Sequence, residues 1–121
     1  MKDGLKSRPG FAPGLLLLAL VLGAPAAASA AVDVEDAKAL AKQSNCFKCH
    51  SMDKLKDGPS WRSIAQKYRT KPDAERMERL TTHITSGEMV KFEDGHEEHH
   101  AIVKTKDKAR IQNLVRYILS L

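Results

Sequence analysis

The sequence predicts an all-α domain of about four helices, built around a five-residue motif that contains both of its cysteines. In four segments, apolar residues recur at intervals of three and four, the spacing that places them on one face of a helix. Each segment is bounded by residues that commonly begin or end helices. No segment alternates between apolar and polar residues for long enough to predict a β-sheet.

Residues 1–30 have the composition of a secretory signal peptide. An apolar run over residues 15–23 is too short to span a bilayer. It precedes Ala28-Ser29-Ala30, a small-residue pattern typical of a cleavage site, and it follows three basic residues. We therefore expect cleavage after Ala30, export to the periplasm, and a single domain of residues 31–121 without a membrane span. The basic residues are Lys2, Lys6 and Arg8.

The charge of the chain does not indicate a nucleic-acid-binding protein. The full sequence has 20 basic and 15 acidic residues. Without residues 1–30 the counts become 17 and 14, a net charge of +3, and the two signs are interspersed. Such a surface is typical of a solvated domain with weak attraction for an acidic partner. Because a domain of this size has a small core, we also expect a covalent link, a metal or a cofactor to stabilise it.

The first two predicted helices flank the cysteine motif. Asp33 is placed to cap a helix that runs to about Ser44. Gly58-Pro59 predicts a turn, after which Ser60 is placed to cap the second helix. The apolar faces consist of Val34, Ala37, Leu40 and Ala41 in the first helix and of Trp61, Ile64, Ala65 and Tyr68 in the second.

The last two predicted helices are separated by a segment without helical periodicity. The third helix begins at Asp73 and ends near Ser86, where Gly87 suits the left-handed conformation common after a helix. Residues 88–105 show no helical period, and Asp107 is placed to cap the fourth helix. The apolar faces consist of Ala74, Met77, Leu80 and Ile84 in the third helix and of Ile111, Leu114, Val115 and Ile118 in the fourth, with Tyr117 beside them.

The motif of residues 46–50, Cys-Phe-Lys-Cys-His, is compatible with four kinds of chemistry. A disulfide between Cys46 and Cys49 would close a very short loop and stabilise the domain little. A thioredoxin-like redox pair is expected near a βαβ pattern, which the sequence does not predict. A zinc site needs about four ligands, and its other two would be His96 and His100, spaced as H-x-x-x-H but distant in sequence.

The fourth chemistry, covalent attachment of a c-type haem, uses both cysteines and the histidine. Each thiol adds to a vinyl group of the haem, and His50 then lies beneath the iron as its proximal ligand. This attachment needs the oxidising side of a membrane, to which the leader would direct the chain. The motif therefore favours one haem c per chain, bound through Cys46 and Cys49.

Three features follow one another along the chain: the Cys-x-x-Cys-His motif after a first helix, Gly58-Pro59 before a second, and a last helix ending in Val-Arg-Tyr-Ile-Leu-Ser at residues 115–120. Together they resemble a small bacterial class I cytochrome c. The resemblance implies the small cytochrome c fold around one covalently bound haem. It implies that the Pro59 carbonyl accepts a hydrogen bond from His50 and fixes its tautomer. It also implies that the first and last helices cross, with Tyr117 opposite Ala37 and Ala41.

The sequence departs from this family at the sixth iron ligand. The family usually supplies a methionine from a loop just before the last helix. That place here reads Glu97-Glu98-His99-His100-Ala101. His100, 21 residues before Leu121, is therefore the favoured distal ligand, and Met89 is the alternative. In an extended loop the side chain of His99 would point away from that of His100, because neighbouring side chains alternate in direction.

The other histidines and Trp61 have simpler interpretations. His96 and His99 lie in a charged loop and are expected to be solvated. His83, at the edge of the third helix, is expected on the surface. Trp61 is expected in the core, a contact with the haem being the alternative.

The expected function is transfer of one electron between redox proteins, without catalysis. If the protein fills both axial positions of the iron, no position remains for a substrate. An acidic partner is expected to meet, transiently, three lysines near the haem attachment: Lys48, Lys54 and Lys56. Two alternatives stay open at this point: a haem protein that binds or senses a gas by displacing its sixth ligand, and an electron-relay subunit of a periplasmic oxidoreductase.

Overall fold

The computed structural model describes residues 30–121, together with Pro9, Gly10, Gly14 and Gly23. The predicted signal peptide therefore lies almost entirely outside the described residues. The four predicted helices are confirmed, as α1 (Val34–Gln43), α2 (Trp61–Tyr68), α3 (Asp73–Ser86) and α4 (Lys108–Leu119). Within the described part, no helix has the length and apolar character needed to cross a membrane.

Polar side chains begin three of these helices, as the sequence predicts. In each case a side-chain oxygen accepts a hydrogen bond from a backbone N–H of the first turn, which has no partner inside the helix. Gly87 follows α3 with a φ angle of 67°, the left-handed conformation predicted for it. The N-cap pairs are Asp33 with Asp36, Ser60 with Ser63, and Asp107 with Ala109 and Arg110.

The core is formed where α4 packs against the other three helices. Ala37 and Ala41 of α1 are fully buried, and their small side chains let α4 approach closely. Tyr117 of α4 is buried in the same cluster. At the edge of this contact Arg110 donates a hydrogen bond of 2.9 Å to Asp36. The predicted packing of the first helix against the last is thus confirmed.

A short β-hairpin between α3 and α4, which the sequence did not predict, is added to the four helices. Strand β1 (Met89–Lys91) pairs antiparallel with β2 (Glu97–His99), and Met89 lies opposite His99. Gly95, in the turn, has a φ angle of 89°. Each strand has only three residues. That length is too short for an alternating pattern to be recognised in the sequence.

Two apolar side chains predicted on inward faces lie outside the core. Val34 and Ala74 are exposed. Val34 is the first residue of α1, and Ala74 is the second residue of α3. The end of a helix projects beyond its contact with neighbouring helices, so the helical repeat in the sequence extends further than the packing does.

Candidate haem site

The cysteine motif forms one 3₁₀ turn between α1 and α2. The turn spans Cys46–Lys48, and the Cys49 N–H donates to the Cys46 carbonyl at 3.3 Å. Side chains three residues apart in a 3₁₀ helix lie on the same side. The two thiols, which are free and half-buried, therefore share one face of the turn. Burial raises the pKa of the Cys46 thiol. Asn45, with a φ angle of 60°, turns the chain between α1 and this segment.

His50 is held by the backbone carbonyl of Pro59. The distance from His50 Nδ1 to Pro59 O is 2.6 Å. Because a carbonyl oxygen only accepts, Nδ1 carries the proton and Nε2 keeps a free lone pair. Burial lowers the pKa of His50, which favours the neutral ring. His50 thus has the tautomer and charge that a metal-ligating imidazole needs.

Gly58 belongs to this site, although the sequence indicated only a turn there. A Cβ atom on Gly58 would lie 2.8 Å from His50 Cε1 and 3.1 Å from His50 Nδ1. The φ angle of Gly58 is not in the left-handed region, unlike those of Gly87 and Gly95. The close approach of the His50 ring, rather than the backbone angle, therefore requires glycine here.

Replacing Gly58 with alanine is expected to displace the His50 ring. The added methyl group would overpack the site, and we expect a loss of about 1–3 kcal/mol in the free energy of unfolding. Because the ring must move, the visible spectrum and the reduction potential of the holoprotein should change as well. Denaturant titration and spectroelectrochemistry measure the two effects.

The control is Gly95→Ala, in the hairpin. A Cβ atom on Gly95 would meet nothing within 4 Å, so only its positive φ angle penalises alanine there. This variant is expected to lose stability without any change in the spectrum. If Gly58→Ala changed neither stability nor spectrum, the proposed close contact with His50 would be wrong.

His100 lies near His50, at the start of the loop that connects β2 to α4. The two ring centroids are 6.1 Å apart. An imidazole nitrogen binds a first-row metal ion at about 2 Å, and the ring centre lies about 1 Å further, so two axial rings have centres about 6 Å apart. The observed separation would allow His50 and His100 to hold one iron ion together. His50 and His100 are both only partly exposed to solvent.

The electrostatics of His100 also suit a ligand. Its Nδ1 lies 2.9 Å from the carbonyl of Ala101, so Nε2 carries the free lone pair. Burial, followed by the nearby His83, lowers the pKa of His100 and favours the neutral ring.

The other predicted candidates lie elsewhere. Met89, the alternative distal ligand, is 51% exposed in β1. His96 and His99 are exposed, as expected from the charged loop. His96 contacts the carboxylates of Asp94 and Glu98, and Asp94 raises its pKa. Among the described residues, no group of three or more histidine, cysteine or acidic side chains is arranged to hold a metal ion, so the zinc alternative has no support there.

Trp61 is buried, with 2% of its surface exposed. Its ring centroid is 5.0 Å from that of Phe47, in the 3₁₀ turn of the cysteine motif, and 6.1 Å from that of Tyr117 in α4. These contacts agree with the interpretation of Trp61 as a core residue. They also connect the cysteine motif to the contact between α2 and α4.

His83 reaches the surface, as expected, but it also makes a contact that the sequence did not predict. His83 is half-buried, and its ring centroid is 4.1 Å from that of His100. Its Nδ1 is hydrogen-bonded to the carboxylate of Glu88. The sequence offered no signal for this contact, because it depends on how α3 and the loop before α4 come together.

Solved structures of similar fold are cytochromes. The class 1 cytochrome MtoD from Sideroxydans lithotrophicus ES-1 is 54% identical, with a TM-score of 0.69 over 74% of this chain and 97% of that one. Wild-type cytochrome c552 of Nitrosomonas europaea is 26% identical, with a TM-score of 0.53 over 69% of this chain and 96% of its own. A deletion mutant of that cytochrome is 29% identical, with a TM-score of 0.55 and the same coverage. No curated protein of similar sequence was found.

The fold and these likenesses define a small, monohaem class I c-type cytochrome. The sequence matches the family described as Cytochrome c over residues 34–121, and the chain belongs to that family. Members of the family carry one covalently attached haem c per chain, and this chain is an electron-carrying haem protein. The predicted fold and cofactor are thereby confirmed.

Proposed function

We propose that this protein is a periplasmic carrier of single electrons whose haem iron is bound by two histidines, His50 and His100. The observation that supports this most directly is the distance of 6.1 Å between the two ring centroids. Both rings have a free Nε2 and a lowered pKa, so both are neutral imidazoles at neutral pH. When bound, the haem supplies the one-electron chemistry, and the chain holds, orients and encloses it.

Each residue of the site has a defined role in this proposal. Cys46 and Cys49 attach the haem from one face of the 3₁₀ turn. The Pro59 carbonyl orients His50, the proximal ligand, and Gly58 leaves room for its ring. If His50 and His100 both hold the iron, they leave no position on it for a substrate or a gas, which favours electron transfer.

The surface around the 3₁₀ turn of the cysteine motif is the proposed contact for a redox partner. Lys48, Lys54 and Lys56 are all exposed there. Leu55 lies between two of these lysines and is 64% exposed, so the surface combines positive charge with an apolar side chain. Such a surface suits brief contact with an acidic protein, whose approach the charges would accelerate. Added salt should therefore slow the bimolecular electron transfer rate.

The periplasmic location is supported by the sequence of residues 1–30 and by the family, whose class I members are typically exported. Because thioether attachment to haem takes place outside the cytoplasm, the leader and the motif are mutually consistent. Mass spectrometry of the protein from a periplasmic fraction should give residues 31–121 plus one haem. A mass that includes residues 1–30 would contradict cleavage after Ala30.

Optical spectra of the purified holoprotein, with and without carbon monoxide, test the proposed ligands. The oxidised protein should be low-spin and lack the weak far-red band of a methionine–iron bond, and the reduced protein should not bind carbon monoxide readily. Its reduction potential should lie below that of a relative with histidine and methionine ligands, because a thioether favours ferrous iron.

Met89→Leu is the matched variant for this test. It removes the alternative ligand and keeps an apolar side chain of similar size at an exposed position. We expect it to leave the spectrum and the potential unchanged. If Met89→Leu instead produced a high-spin protein, the distal ligand would be methionine. If the unmodified protein bound carbon monoxide at once, a gas-binding function would be favoured over electron transfer.

A further inference from the structure

Two imidazoles, rather than one, stand on the side of the site opposite His50. The rings of His83 and His100 are in contact, with centroids 4.1 Å apart and an angle of 47° between their planes. His83 comes from the last turn of α3, and His100 from the loop before α4. The assignment of His100 as the distal ligand leaves His83 without a function.

His83 has the features of a ligand in its own right. The Glu88 carboxylate can only accept, so His83 Nδ1 carries the proton and its Nε2 is free. Ligating histidines commonly donate their second ring N–H to a carboxylate, which orients the ring and makes it a stronger donor. His100 has a carbonyl oxygen, that of Ala101, in the same role.

Glu88 links the two histidines through separate groups. Its side chain accepts from His83, and its backbone carbonyl accepts from the His100 N–H at 2.8 Å. A further bond of 2.9 Å, from the Val103 N–H to the Ile84 carbonyl, fastens the same loop to α3. These backbone bonds keep His83 beside the distal position whatever side chain residue 100 carries.

We propose that His83 is a reserve axial ligand, which binds the iron when His100 leaves it. One iron–nitrogen bond would break and another would form, with no change in the oxidation state of the iron, because Glu88 holds His83 through Nδ1 and leaves Nε2 as the ring atom for the metal. This inference rests on the proposed function and deepens it. A second imidazole would keep the iron six-coordinate through movements of the loop, so that the protein remains an electron carrier and does not take up gases.

The test compares single and double variants of the holoprotein. His100→Ala is expected to retain a low-spin spectrum, since His83 can enter the space that the ring vacates. His83→Ala combined with His100→Ala should lose that spectrum and become high-spin. The matched control is His99→Ala combined with His100→Ala, which removes the exposed neighbouring histidine and should remain low-spin. The amount of covalently bound haem per chain, measured for each variant, shows whether haem attachment is complete.

Carbon monoxide binding to the reduced variants gives a second readout. In His100→Ala the rate should level off at high carbon monoxide concentration, because departure of His83 becomes limiting. In the His83→Ala, His100→Ala double variant the rate should rise linearly with concentration, since no protein ligand has to leave.

Two outcomes would overturn the proposal. One is a high-spin His100→Ala protein whose carbon monoxide kinetics match those of the double variant. The other is a double variant that stays low-spin, which would assign the position to a different side chain. The spectrum of the unmodified protein tests the proposed function separately. A failure of the proposed function can therefore be distinguished from a failure of the proposal that His83 is a reserve ligand.

Discussion

Replacing both Cys46 and Cys49 with alanine is expected to yield a largely unfolded chain without bound haem. The proposed mature domain, residues 31–121, has only about 91 residues, and the net stability of such a domain is about 5–15 kcal/mol at most. Its fully buried large side chains are few within the described residues: Trp61, Leu40, Leu114 and Val115. A cofactor that binds only the folded state adds directly to stability, so its loss removes that contribution.

Far-UV circular dichroism and limited proteolysis measure the effect. The double variant should lose most of its helical signal and be cleaved rapidly under conditions in which the holoprotein is resistant. In the unmodified protein, acid–acetone should not extract the haem, because thioether bonds do not dissociate. A cooperative thermal transition in the double variant, or extraction of haem from the unmodified protein, would contradict the prediction.

The second large effect is expected from His50→Ala, which removes the proposed proximal ligand. The two thioether bonds would keep the haem on the chain, but only the distal imidazole would remain on the iron. We expect complete loss of the low-spin spectrum and binding of carbon monoxide in the reduced state. His83 should not compensate, because it lies beside His100, on the other side of the site.

Adding free imidazole to the His50→Ala variant provides a second test of this prediction. The space left by the ring should admit free imidazole, which would restore the low-spin spectrum of His50→Ala in a concentration-dependent way. His96→Ala serves as the control, because His96 is exposed in the hairpin, where its ring contacts Asp94, Glu98 and Phe92. It should leave the spectrum unchanged. An unaltered spectrum in His50→Ala would show that His50 does not bind the iron.

The helices could be predicted from the sequence because their signals are local. An N-cap such as Asp33 acts on a backbone N–H three residues away, and Gly87 ends α3 through its own φ angle. The short strands β1 and β2 could not be predicted, since pairing between two three-residue segments leaves no pattern in either.

The covalent part of the site was likewise determined by the sequence alone. Two thiols and an imidazole within five residues form one chemical unit, and the 3₁₀ turn only sets the direction of the side chains. The closeness of Gly58 to His50 was decided by the loop between them, which brings a residue eight positions later against the ring.

The distal side was decided by tertiary structure. The position of His100 in the sequence favoured it as a ligand, but only the packing of the loop before α4 against α3 brings its ring to 6.1 Å from that of His50. The same packing places the ring of His83 in contact with that of His100, which the sequence did not predict. The physical reason is that the helical repeat in the sequence shows which face of α3 is apolar. Which residue contacts a polar side chain at the edge of that face depends instead on how a loop distant in sequence packs against α3.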